Sequence, residues 1–278
     1  MKRILLVCLA ACLLTTGFSQ EEKTEKVEKN DTIRIGGITI IKKAGNKDRE
    51  IISDDKEVKI PFRKRKPENI STNWWIIDLG YAGLNDNTNY ATVAAQAFAP
   101  GSTEDWFDLR SGKSRNVNVW FFMQRINIIS HVVNLKYGMG LELNNYSFDD
   151  ERIRFQKNPT LISLDNTLKD AKRNKLAADY LTVPMMLNFN FTPGRKNGFG
   201  FSGGMSAGFL YSARQKTKLN DDKEKLRNDF DLKSWKLSYV GELLLGPVKL
   251  YGSYALENMW DKGLDQTPYT VGFRLSNW

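Results

Sequence analysis

From Ser71 to the end of the chain, apolar and polar residues alternate with a period of two. That is the spacing of a β-strand, whose successive side chains leave on opposite faces. In one stretch Leu181, Val183, Met185, Leu187, Phe189 and Phe191 oppose Thr182, Pro184, Met186, Asn188 and Asn190. A turn over 192–198 follows. Beyond it Phe199, Phe201, Met205, Ala207, Phe209 and Tyr211 oppose Gly200, Ser202, Gly204, Ser206, Gly208 and Ser212. Six further segments of this kind lie at 74–83, 116–129, 132–146, 235–245, 248–258 and 269–278. In the segment at 116–129, Val117, Val119, Phe121 and Met123 share a face until the phase is lost near Arg125, where a bulge is predicted. The segment at 132–146 is the most regular: Val133, Leu135, Tyr137, Met139, Leu141 and Leu143 oppose Asn134, Lys136, Gly138, Gly140, Glu142 and Asn144.

Runs of about 10 residues or more are long for a globular sheet and match a tilted bilayer crossing. The connections sort in the same sense. Those at 130–131, 192–198 and 246–247 are short, whereas 84–115, 147–174, 216–233 and 259–268 are mostly longer and more polar. Alternating short and long connections, with an even strand number, describe an antiparallel barrel with turns at one membrane surface and loops at the other. Trp74, Trp75, Phe199 and Trp278 fall at the short-turn rim, and Tyr146, Trp235, Trp260 and Tyr269 at the loop rim, as two interfacial girdles require.

The polar faces carry Asp78, Lys136, Glu142, Lys236, Glu242, Lys249, Glu257 and Arg274, with acids and bases in equal number. The interior of an eight-stranded barrel is just wide enough for side chains to fill, and buried charges there must pair. The expectation is a plugged lumen held by a mixed-sign network. The inverted alternative is a lipocalin-like cup with the apolar face inward, and it would leave the tryptophans in water.

Composition changes the picture ahead of residue 71. Met1-Lys2-Arg3, an apolar run from Ile4 to Leu14 and small residues before Glu21 read as a signal peptide over 1–19, too short for a spanning helix. A lipoprotein site at Cys12 is the competing reading. Both cysteines, Cys8 and Cys12, lie in that leader, so the remainder has no thiol chemistry. Residues 20–70 are dense in charge and read as a mostly disordered periplasmic arm, with a short strand or hairpin over 31–41. The formal net charge is +9, about +7 without Lys2 and Arg3. An exported chain seldom meets nucleic acid, so the surplus points to anionic lipopolysaccharide or cell-wall polymer.

The strand Tyr180-Leu181-Thr182-Val183-Pro184-Met185-Met186-Leu187, the glycine-rich 200–211 strand and the terminal 269–278 strand resemble outer-membrane β-barrel proteins of the PorT-like group of Bacteroidetes. The likeness covers roughly 71–278. It implies a small barrel of the OmpA/OmpX type, whose terminal strand the barrel-assembly machinery reads, and it implies little about chemistry.

Candidate chemistry is sparse. His131 is the single histidine and lies in a predicted turn, away from the loop rim where a lipid-modifying barrel would need its base. With no cysteine after the leader and no second histidine, zinc sites of the usual kind are excluded. The acid pairs Asp149-Asp150 and Asp221-Asp222 read as solvated loop residues rather than calcium ligands. Gly198-Phe199-Gly200-Phe201-Ser202-Gly203 spells G-x-G-x-x-G but sits within a strand, not between strand and helix, so it is no dinucleotide fingerprint. Tyr90, Phe98, Trp106 and Phe107 in the first long loop, with a short helix over 92–98, fit either a partner-binding tip or a fold over the barrel mouth.

The reading is therefore an all-β chain: an eight-stranded antiparallel up-and-down transmembrane barrel over 71–278 with a disordered N-terminal periplasmic arm. It is expected in the outer membrane with both termini periplasmic, without enzymatic activity or cofactor. Its expected partners are outer-membrane lipid and lipopolysaccharide, the barrel-assembly machinery and an envelope protein. A narrow transport pore, a secretion-system accessory barrel and the lipocalin-like cup are the alternatives.

Overall fold

The computed structural model describes residues 68–276 apart from Gly194, Lys196, Asn197 and Asp221, and also the strand segments within 33–61 as backbone. The signal peptide expected over 1–19, with Cys8 and Cys12, lies outside the described residues, as does Trp278. The chain divides into two units, Met1–Lys66 and Pro67–Trp278.

In the first unit, β1 (Ile33–Ile35), β2 (Ile38–Ile41), β3 (Asp48–Ser53) and β4 (Lys56–Pro61) form an antiparallel meander. β1 and β2 form the hairpin expected over 31–41, and β3 and β4 extend it into a sheet. Register supplies the reason: Ile33, Ile40, Ile51 and Val58 line up across the four strands, and β-branched residues in cross-strand rows favour a sheet.

In the second unit, eight strands close into a ring. They are β5 (Ile70–Asp86), β6 (Arg115–Ile129), β7 (Val133–Ser147), β10 (Ala171–Asn190), β11 (Phe199–Leu219), β13 (Trp235–Leu245), β14 (Val248–Ala255) and β15 (Gln266–Leu275). Each pairs antiparallel with the next, and β15 returns to β5 with Arg274 opposite Asp78. Closure leaves no unpaired edge, the condition for strands to cross a hydrocarbon layer. The turns 130–132, 191–198 and 246–247 lie at one end. At the other end the first long connection carries helix α1 (Val93–Phe98), the second carries a hairpin of β8 (Ile153–Gln156) and β9 (Leu161–Leu164), and the third carries β12 (Asp222–Arg227), which pairs with the end of β11. Thr92 caps α1 by accepting from the Ala95 amide at 3.2 Å. The alternation of Ile153 and Phe155 with Arg154 belongs to this separate hairpin and does not prolong β7.

The wall has its apolar face outward. Leu79, Val183, Met185, Leu187, Leu243 and Phe273 are exposed, while Asp78, Lys136, Glu142, Asn144 and Asn188 are buried. The lipocalin-like orientation is thereby overturned.

The polarity then reverses along the longest strands. On β10, Leu181 to Phe189 face out with Thr182 and Asn188 inside, but toward the loop end Leu176, Ala178 and Tyr180 turn inward and Arg173, Lys175 and Asp179 lie on the outer side. On β11 the change falls at Tyr211, where a bulge between the Asp179 and Tyr180 pairings shifts the register, so that Ala213, Gln215 and Thr217 point inward. At about 2.5 Å of axial rise per residue in a strand tilted near 40°, residues 181–191 span about 25 Å, the height of an outer-membrane apolar band.

A second bulge sits at Trp75 and Phe121, which are skipped between the pairs Trp74–Phe122 and Ile76–Trp120. Trp75 takes a positive φ of 56° there. The bulge puts Trp74 and Trp75 both outward, at 63% and 69% exposure, and turns Met123 inward to 0%. Met123 was expected outward with the phase break near Arg125; the break falls four residues earlier.

The polarity reversal makes a graded prediction. Met185→Arg, in the middle of the outward apolar band, is expected to cost about 2–4 kcal/mol in denaturant titrations of the barrel in lipid vesicles. Lys216→Arg, on the same wall beyond the reversal, is expected to leave the midpoint unchanged.

Candidate functional site

The barrel interior is a closed set of charge pairs built by register. Arg274, Asp78, Asn118, Glu142 and Tyr180 form one continuous row across β15, β5, β6, β7 and β10. The Arg274 guanidinium donates through Nε and Nη2 to both Asp78 oxygens, at 2.7 Å each. Asp78 also accepts from the Trp120 indole at 2.7 Å and the Asn118 amide at 3.2 Å. Four donors around one carboxylate satisfy its oxygens in the absence of bulk water.

Across the lumen, β7 and β13 face each other with matching chemistry. Lys136 pairs with Glu242, and Lys236 pairs with Glu142. Each strand carries its lysine six residues before its glutamate. The two strands run in opposite directions, so the pairs form two reciprocal rungs about 15 Å apart. Arg274 also reaches Glu242, which links the rungs to the Asp78 row. Thr182 and Asn144 donate to Glu142 at 3.3 and 3.0 Å, and Ser202 donates to Glu242 at 3.3 Å. Lys236 lies 4.7 Å above the Tyr180 ring. Inward glycines admit the bulky members: a Cβ on Gly140 would meet Trp120, and one on Gly272 would come within 2.8 Å of the Tyr251 ring. A cavity lined by Trp120, Glu142, Thr182, Glu242 and Arg274 has a volume of about 30 Å³. That is room for roughly two or three waters.

Of the eight charged residues expected inside, Asp78, Lys136, Glu142, Lys236, Glu242 and Arg274 meet in this network. Lys249 is buried, but it donates to the Ser276 carbonyl and hydroxyl, at 2.5 and 2.9 Å, not to an acid. Glu257 is a correction. It lies beyond the end of β14, 70% exposed, paired with Lys233 at 2.7 Å. The alternation continued past the strand on paper, but the strand stops at Ala255.

The girdle assignments divide as well. Trp74, Trp75 and Trp235 stand on the outer surface, and Tyr269 is half-buried, packed against Tyr81 at 6.0 Å. Trp260 is 2% exposed, and Tyr146 is as fully buried. Both belong to a cap over the loop-end mouth, not to an interfacial ring. Trp260 donates its indole N–H to Gln266 at 2.9 Å, which removes its need for an interface.

This cap is the second element of the site. A train of rings runs Tyr90–Phe107–Phe148–Phe155, then from Phe155 to Phe230 and through Trp260 to Phe98, with centroids 5.2–6.3 Å apart. The first-loop aromatics thus fold over the mouth. Gln215 fastens the hairpin beneath them: its carbonyl accepts from the Phe155 amide at 3.0 Å, and its amide donates to the Ile153 carbonyl at 2.8 Å. Asn174 donates to the Glu151 carbonyl at 2.8 Å. Sequence reading missed both. Their signal was a polar residue on the inward face of strand segments whose other inward residues are Leu176, Ala178 and Ala213.

Around the cap, several acids are engaged in ion pairs. Asp149 and Glu151 hold Arg110, and Asp150 holds Arg152, which keeps the Asp150 carboxyl below the usual range. Burial, then the bond to Asp86 at 2.6 Å, pushes the Tyr90 phenol well up. His131 sits in its turn with a positive φ, its amide donating to Asn127 at 2.6 Å.

The sequence model of the outer membrane protein beta-barrel domain family matches residues 82–258, more than half of the chain. No curated protein matches it.

Removing one charge from the interior leaves an opposite one uncompensated. Asp78→Asn is expected to lower stability by about 3–5 kcal/mol. Asp78→Asn combined with Arg274→Met should recover most of that loss. Guanidinium titration of the folded barrel measures both.

Proposed function

Because the chain belongs to the outer membrane protein beta-barrel domain family, we propose that it is a non-conducting, non-enzymatic barrel that presents a rigid external surface in the envelope. The observation that carries this reading is the double closure of the interior. The charge rungs fill the membrane-level lumen, and the aromatic cap seals the mouth above it. A transport path would have to part both. The short turns face the periplasm in this reading, as does the start of β5 at Ile70. The Leu181-Thr182-Val183-Pro184 strand supports placement with PorT-like barrels of Bacteroidetes, and an interaction role through the ordered loops follows from their packing.

A catalytic role finds little support, because many polar groups of the cap are engaged with one another. Asp86, the acid nearest its centre, accepts from Tyr90, from Gln266 at 2.7 Å and from the Thr88 amide at 2.9 Å.

In planar bilayers the reconstituted full-length chain is expected to show no open level lasting seconds. A sustained, voltage-independent conductance would overturn the proposal.

A further inference from the structure

Above the polarity reversal, three strands carry an unusual outer face. The outward positions of β10, β11 and β12 align in rows: Lys175 with Lys216 and Lys225, and Arg214 with Arg227, with Arg173 and Lys223 in the row beyond. Inward neighbours fix the orientation, since Ala213, Gln215 and Thr217 are buried and Leu226 packs against the cap core. Among the described residues, the only acid at an outward position of these three segments is Asp179, and Arg214 already holds it at 2.5 Å. Lys175 lies in the field of Lys216, Arg173, Arg214 and also Arg115 of β6. Like charges gathered at such density repel one another, and an anion relieves that cost.

Height identifies the anion. The apolar belt ends at the row of Leu181, Phe209 and Trp235, with the Phe209 and Trp235 rings 5.2 Å apart. Arg214 lies three residues beyond Tyr211 and Lys216 five, about 8 and 13 Å along the axis. The headgroup layer of a bilayer begins where the hydrocarbon ends and is about 5–8 Å deep, so Arg214 stands at its outer edge and the long lysine side chains of the next row can reach down to it. A soluble partner would meet the loop tips first, whereas a lipid already seated on the belt presents its phosphates to this wall.

We propose that the outward face of β10, β11 and β12 binds the phosphate groups of a phosphorylated glycolipid in the outer leaflet, whose acyl chains lie on the apolar belt below. Arginine fits phosphate with paired donors, and the lysines add charge without a required geometry. This rests on the reading of the loop end as external.

The test folds the full-length chain in a nonionic detergent and titrates it with diphosphorylated lipid A, with the same lipid stripped of phosphate, and with inorganic pyrophosphate. Bound ligand is read by native mass spectrometry. Phosphorylated lipid A is expected to bind at least tenfold more tightly than either comparison ligand. The variant K216Q/K225Q/R227Q should lose at least tenfold of that affinity, while the loop variant K113Q/K157Q/K169Q, with the same loss of charge, should retain it. Equal binding of phosphate-free lipid, equal binding of pyrophosphate, or an unchanged affinity in the band variant would each overturn the proposal. Heat-modifiable gel mobility checks folding, and the wild-type comparison of the ligands decides the matter if the variant does not fold. Lys225→Cys, probed on intact cells with a membrane-impermeant maleimide, tests the orientation separately. No labelling sinks the external reading itself, whereas labelling with unaltered lipid binding sinks this inference alone.

Discussion

An eight-stranded ring leaves no space for bulk water at its centre, so each charge that enters must be met by a counter-charge or by polar groups that replace water. That constraint governs the whole membrane-level structure. Desolvating an ion costs several kcal/mol even after relaxation. The cost is offset here because register sets donors and acceptors opposite one another before any side chain moves. Asp78 and Arg274 are direct cross-strand partners. The reciprocal lysine and glutamate spacing on β7 and β13 extends this to strands on opposite sides of the lumen. A slip of one residue in any strand would send its charges into lipid and its leucines into the lumen. The network therefore specifies register as much as it contributes stability.

Much of this was readable in advance because two-residue alternation survives translation from sequence to wall. The ring of eight, its direction, and the six charges that meet inside all follow from Val133 to Asn144, Leu181 to Phe191 and their counterparts. Even the reciprocal rungs leave a trace, a lysine six residues ahead of a glutamate on two strands. Alternation fails where the backbone adds a residue or ends. The skipped pair Trp75–Phe121 reverses the phase on both strands at once, and neither residue type announces it. Glu257 kept the polar phase although its strand had stopped.

Other misreadings share a different cause. Trp260 and Tyr146 were assigned to a rim because aromatic residues near a strand end usually meet an interface. Whether a ring stays there depends on what covers it, and that is decided by loops distant in sequence, through Gln266, Phe155 and Phe98.

The cap and the basic band are two sides of one requirement. Where the wall leaves the membrane, its outside meets polar surroundings and its inside loses the crossing charges, so the strands must exchange faces. Tyr180, Leu176 and Ala213 turn the interior apolar and call for an aromatic filling. The same reversal frees the outer positions for charge. Those positions did not need to be of one sign, because mixed charges would solvate the wall equally well and repel less. The rows of lysine and arginine on β10, β11 and β12 carry an electrostatic cost, and the anionic layer proposed at that height would compensate it.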